Sequence, residues 1–258
     1  MLIKHMQCEK NSLDYFWQGC QLITQSGLRR YVIVPLLANI IIMSLLLTWF
    51  FHEINYLLQW GMEYTPTWLH WLGYIMSILI IIVIVILFCY FFSTLTNIIA
   101  SPFNSLLAEK VEQRLTQQQI SNITLVAILK DIPRMIKREL QKFIYYLVRA
   151  IPLFLLQFIP AIGHTIIPIA WFIFTAWVIN MQYSDYAFDN HKISLKRTRA
   201  ILYQNRHQSL GFGMIISVFT MIPLINLIIM PIAICGATAM WVDKYQYQVD
   251  QLELDFYD

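Results

Sequence analysis

The segment IPAIGHTIIPIA (Ile159–Ala170) and, 63 residues later, IPLINLIIMPIA (Ile222–Ala233) agree at seven of twelve positions. Each sits inside a run without Asp, Glu, Lys or Arg: Ala150–Ser184 spans 35 residues and His207–Val242 spans 36. Such runs exceed the ~20 apolar residues that cross a bilayer as a helix. Yet prolines and turn residues break both near the middle. Taken as a repeat, the runs are two helical hairpins with tips at Pro160–Pro168 and Pro223–Pro231. Taken singly, each is one long helix kinked at proline.

Charge separates these readings. The polar stretches carry +2 (residues 1–30), −2 (53–67), +4 (109–149) and +3 (185–206). A single crossing per run would put the +4 and +3 stretches on opposite sides. Hairpins keep both on one side with the N-terminus, as the positive-inside tendency favours. Limbs of about 15 residues reach roughly 22 Å at 1.5 Å per residue, short of a roughly 30 Å hydrocarbon layer. Re-entrant hairpins are therefore expected, held against protein or a water-filled cavity.

Two further charge-free runs, Tyr31–His52 and Tyr64–Ala108, cover 22 and 45 residues. Of the 258 residues, 58% are hydrophobic and 13% charged, against roughly 25% charged in soluble domains. Alternating barrel patterning is absent. The expected fold is an all-α integral membrane protein of one domain. It has two long transmembrane helices, two re-entrant hairpins and amphipathic interfacial or cytoplasmic helices. The expected bounds are an interfacial helix at 12–26 and spans at 29–51 and 68–100, the latter extending to about 118. Residues 53–67 form a loop, 125–149 an amphipathic helix, 150–184 and 207–242 the hairpins, and 243–258 an acidic tail. On residues 12–26 one stripe gathers Leu13, Phe16, Trp17, Cys20 and Ile23. A polar, charge-bearing stretch of 30 residues precedes the first apolar run, which argues against a cleaved signal.

A net charge of +3 is too small to imply nucleic acid. Cys8, Cys20, Cys89 and Cys235 form no C-x-x-C pair and read as packing residues. The six histidines lack metal-ligand spacing, so no metal or other cofactor is expected. Motifs of nucleotide hydrolysis, serine hydrolysis and zinc proteolysis are missing, so the chain is not expected to be an enzyme.

The sharpest local signal is Gly27-Leu28-Arg29-Arg30 before the first apolar run. Two guanidiniums and the amides of a helix start point at one place, which suits a multivalent oxyanion. The plainer reading is a headgroup anchor that sets topology. Inside the runs stand Asn39, Ser44, Ser93, Thr94, Thr96, Asn97, His164, Thr165 and Asn226, each suited to interhelical bonding or to a pore. Glu109, Lys110, Glu112 and Arg114 fit either a pore rim or a solvated helical face. Lys130, Arg134, Lys137 and Arg138 collect on the polar side of 125–149.

Several strings, taken in order, resemble the CysZ-type bacterial sulfate permeases over roughly residues 13–245. They are FWQG (Phe16–Gly19), GLRRYVIVPLLANI (Gly27–Ile40), FFSTLTNIIASPFNSLLAE (Phe91–Glu109), KDIPRMIKRELQKF (Lys130–Phe143), QYSDYAFDNHK (Gln182–Lys192) and FTMIPLINLIIMPIAICGATAMWVD (Phe219–Asp243). The resemblance implies channel-like sulfate uptake across the bacterial inner membrane for cysteine synthesis, without nucleotide hydrolysis, by a multi-pass homo-oligomer. It implies sulfate binding at Gly27, Leu28, Arg29 and Arg30. Asn39, Asn97, Glu109, Arg114 and Trp241 become candidate pore-lining residues. Transport of sulfite or phosphate, or a scaffold role, are the competing expectations.

Overall fold

The computed structural model describes residues 10–63, 70–117 and 125–249. All regular structure among them is helical: α1 (Ser12–Ile23), α2 (Arg29–Glu63), α3 (His70–Thr116), α4 (Leu125–Leu156), α5 (Ile162–Asn190), α6 (Leu195–Gln204), α7 (Arg206–Thr220) and α8 (Pro223–Met240). A π-helical turn, Trp241–Tyr245, continues α8. The protein is an all-α membrane protein. Within the described residues, Gly163–Asn190 and Ile228–Val249 are long and apolar enough to cross a membrane. Cys8, residues 64–67, position 118 and the tail from 250 lie outside the described residues.

The chain divides into two units, Ile33–Ser101 and a second made of Met1–Val32 with Pro102–Asp258. In the first, Ile40, Ile41, Leu45 and Trp49 of α2 and Ile78, Ile80, Val83 and Ile86 of α3 are exposed. A soluble protein rarely shows so much contiguous apolar surface, whereas a bilayer requires it. Inside this unit the rings of Phe50 and Phe88 lie 4.3 Å apart. Helix α2 continues through 53–63, which the sequence reading assigned to a loop. No proline stands between Pro35 and Pro66, so nothing stops the helix there.

The second unit is built on close helix contacts at small residues. A Cβ on Gly213 of α7 would stand 1.9 Å from the Ala176 carbonyl oxygen of α5, and one on Gly19 of α1 would stand 2.4 Å from that of Ile232 on α8. Backbones thus meet directly, the usual device where lipid supplies no hydrophobic drive between helices. Phe188, Phe212, Ile216, Trp241 and Tyr245 fill the core between them. The expected single stripe of α1 is divided. Phe16 turns inward to stack on Phe219 at 4.8 Å, while Leu13 and Trp17 stay exposed.

The link from α4 to α5 is short, covering 157–161 with Ala161 at φ +66°. Gly163 follows, where a Cβ would stand 2.0 Å from the Gln157 carbonyl oxygen. The α7–α8 link falls just before Pro223, which opens α8 at a position where a missing N–H costs nothing. Pro168 and Pro231 lie inside α5 and α8, so the turns are tighter than the proline-to-proline tips read from sequence. Helix α5 has 29 residues, well beyond a 15-residue limb. Its last turns remain helical because Asp185 and Asp189 find cationic partners on α4.

Candidate functional site

Between α1 and α2 the chain turns through Gly27, whose φ of +95° is one an L side chain rarely adopts. Leu28, 3% exposed, then plugs into an apolar cluster with Leu22, Leu107, Val111 and Ile234. Anchoring of Leu28 leaves Arg29 and Arg30 exposed on the first turn of α2. Arg29 donates from Nε to the Thr24 carbonyl oxygen at 2.6 Å. Arg30 lies over the Tyr31 ring at 5.1 Å and donates to its hydroxyl at 3.4 Å. A guanidinium has five N–H donors, so both keep donors for an anion beside the positive end of α2.

A third arginine comes to this turn by a route the sequence did not suggest. Arg114, exposed near the end of α3, donates from Nε to Gln25 Oε1 at 3.0 Å. The Gln25 carbonyl in turn accepts from the Leu28 amide at 3.3 Å. Gln25 and Thr24 are therefore the polar residues that tie the turn to its arginines. Neither belongs to a recognisable motif.

The other candidate residues are not gathered here. Asn39 and Asn97 lie on α2 and α3, and their side chains fall outside what is described. Glu109 is 2% exposed. Its Oε1 accepts from Gln113 at 2.9 Å, while Oε2 has no hydrogen-bond partner. Burial pushes its carboxyl above the ordinary range, with Lys110 opposing and Glu112 adding to the rise. Trp241, 1% exposed, donates to Glu112 Oε1 at 3.1 Å. Against it pack Phe188 at 4.7 Å and His191 at 4.8 Å, and His191 Nε2 sits 2.8 Å from the same Glu112 oxygen. Glu109 and Glu112 are both buried, so 109–114 is not a uniformly solvated face. His164 and Asn226 are exposed next to the two links.

The sequence reading also missed a buried ionic layer. Arg138 and Lys142 of α4 both reach Asp185 of α5, at 2.6 and 3.2 Å, and Arg134 pairs with Asp189. Asp131 holds Lys192. The hydrogen bond from Lys192, aided by the charges of Lys192 and Arg134, keeps the Asp131 carboxyl below its usual value despite some burial. The signal was present as Arg134 and Arg138 on one strip and Asp185 and Asp189 on another, each four apart. Nothing in a single helix says that its polar face meets a second helix and not water.

Residues 15–231 match the family model described as sulfate transporter CysZ/etoposide-induced protein 2.4.

Proposed function

The chain belongs to this family, and from that premise we propose that it moves sulfate through the bacterial inner membrane as a channel-like homo-oligomer, to supply cysteine synthesis. No nucleotide is hydrolysed in this scheme. The observation that supports it best is the anchored turn that holds Arg29 and Arg30 outward, with Arg114 tied in through Gln25. Planar guanidiniums present paired donors to a tetrahedral oxyanion. The exposed position lets the ion arrive hydrated and leave again.

Sulfate carries two negative charges, so an inside-negative potential opposes its entry by about 4.6 kcal/mol per 100 mV. Net uptake then depends on consumption inside the cell, which reductive assimilation provides. We place both short helix links within the membrane as hairpin tips, with their polar ends on one side. Glu109 and Trp241, closed inside the protein, would act on the ion's path only after rearrangement.

Purified protein in liposomes of defined lipid, loaded without sulfate, tests this directly. Radiolabelled sulfate should accumulate down its gradient and be blocked by excess sulfate more than by phosphate or chloride. Equal competition by all three would reject a sulfate pathway. Stronger blocking by sulfite or phosphate would reassign the cargo.

A further inference from the structure

Along α4 from Phe143 to Leu156, and on to Phe158 in the link, runs an exposed apolar face: Ile144, Leu147, Val148, Ile151, Phe154 and Phe158 are all open. One cation interrupts it. Arg149 is exposed, with its guanidinium 3.7 Å from the centre of the Tyr145 ring. Arg199 of α6 lies over the same ring at 4.5 Å. Among the described residues neither arginine belongs to an ion pair. Two like charges held on one phenol beside hydrocarbon-facing side chains are costly unless a counter-anion joins them.

Depth argues for what that anion is. From Arg149 to Leu156, where α4 ends and the link to α5 begins, the helix advances seven residues. At 1.5 Å each this is about 10 Å, about a third of the roughly 30 Å hydrocarbon layer. With the link near the bilayer centre, Arg149 stands a few ångströms below the headgroups, within reach of them by its long side chain. Trp177 of α5 donates from Nε1 to the Tyr145 hydroxyl at 3.2 Å, which puts an amphipathic indole where such rings gather.

We propose that Arg149 and Arg199, held on Tyr145, form a binding site for the phosphate of a membrane phospholipid. The acyl chains run along the exposed face from Leu147 to Phe154. Each guanidinium bonds a separate phosphate oxygen, and the phenol ring keeps both in place. The site rests on the membrane placement of α4 and not on the sulfate reading.

The test is retention of phosphatidylglycerol, measured by native mass spectrometry on protein released from detergent micelles. Wild type should keep one lipid. R149Q/R199Q should lower the apparent affinity at least about tenfold, and R149K/R199K by an intermediate factor, because the planar fork is lost while the charge stays. R29A/R30A should bind lipid as wild type does, which separates this site from the sulfate turn. Equal retention by wild type, the Gln pair and the Lys pair overturns the proposal. So does displacement of the lipid by millimolar inorganic sulfate or phosphate, which would make this a site for the free oxyanion. Should the Gln pair fail to fold, R199Q alone must still weaken retention by about threefold or more.

Discussion

Arg138 grips Asp185 along one edge: Nε donates to Oδ2 at 2.9 Å and Nη2 to Oδ1 at 2.6 Å. Lys142, 2% exposed, adds a second cation to the same carboxylate at 3.2 Å. Burial alone would push the Lys142 ammonium down, but Asp185 and Glu139 outweigh it and hold it charged. The layer is matched, and removing one member leaves a buried charge. We expect Arg138→Gln to cost about 3–5 kcal/mol, the range for breaking a buried pair. The double change with Asp185→Asn should cost less than the two single effects added. Unfolding in detergent, followed by circular dichroism, measures both. A loss below 1 kcal/mol for the single variant would mean water replaces the arginine.

Arg29→Ala with Arg30→Ala should weaken sulfate binding at least about tenfold, since charge-assisted bonds contribute roughly 1.5–3 kcal/mol each. Arg29→Lys with Arg30→Lys should fall between, because an ammonium lacks the planar fork. Arg114→Ala should weaken binding less, as its Nε is already committed to Gln25. Calorimetry on folded protein decides, and identical affinities in all variants would leave the arginines as topology anchors.

Glu109 predicts a pH dependence of stability. Its carboxyl is raised by burial, so the group disfavours the folded state only when ionised. The penalty is absent below the ordinary carboxylate value and grows as pH rises through the higher folded value. Glu109→Gln should therefore melt higher than wild type at about pH 8, with the gap shrinking toward about pH 4. A variant that is less stable at the upper pH would show that the carboxylate is ionised and paired in the working protein.

Single cysteines at Gln117, Lys192 and Gln204, all exposed, should react with an impermeant thiol reagent from one face of oriented vesicles. Cysteines at Phe158 and Met221, in the two links, should react from neither face if those links lie within the bilayer. Ser184 is buried and would report nothing. Reaction of Gln117 from one side and Lys192 only from the other would defeat the hairpin topology.

The helical architecture was open to a reader of the chain because long charge-free runs have few stable solutions in lipid. The end of α2 was not, since Glu53 and the aromatic residues after it look like a loop until one notes that no proline intervenes. The exposed arginines of Gly27–Arg30 were legible as a local motif, and their support from Gln25 and Arg114 was not, because it joins positions 89 residues apart. The π turn at Trp241–Tyr245 escapes any reading at a fixed period of 3.6, yet it leaves Trp241 and Tyr245 both buried. Arg134 and Arg138 were placed on the polar side of their helix, without the partners they have there. Helical spacing reports which residues share a face and is silent about what the face meets.

Around Gly27 no atom lies within 4 Å of where an L side chain's Cβ would stand. Room is plentiful, so what is selected at this position is handedness and not volume. An L-alanine would be strained there by its own backbone alone, and a D-alanine installed by semisynthesis would take the same torsion willingly. The direction in which Arg29 and Arg30 face is thus inherited from the stereochemistry of one achiral residue.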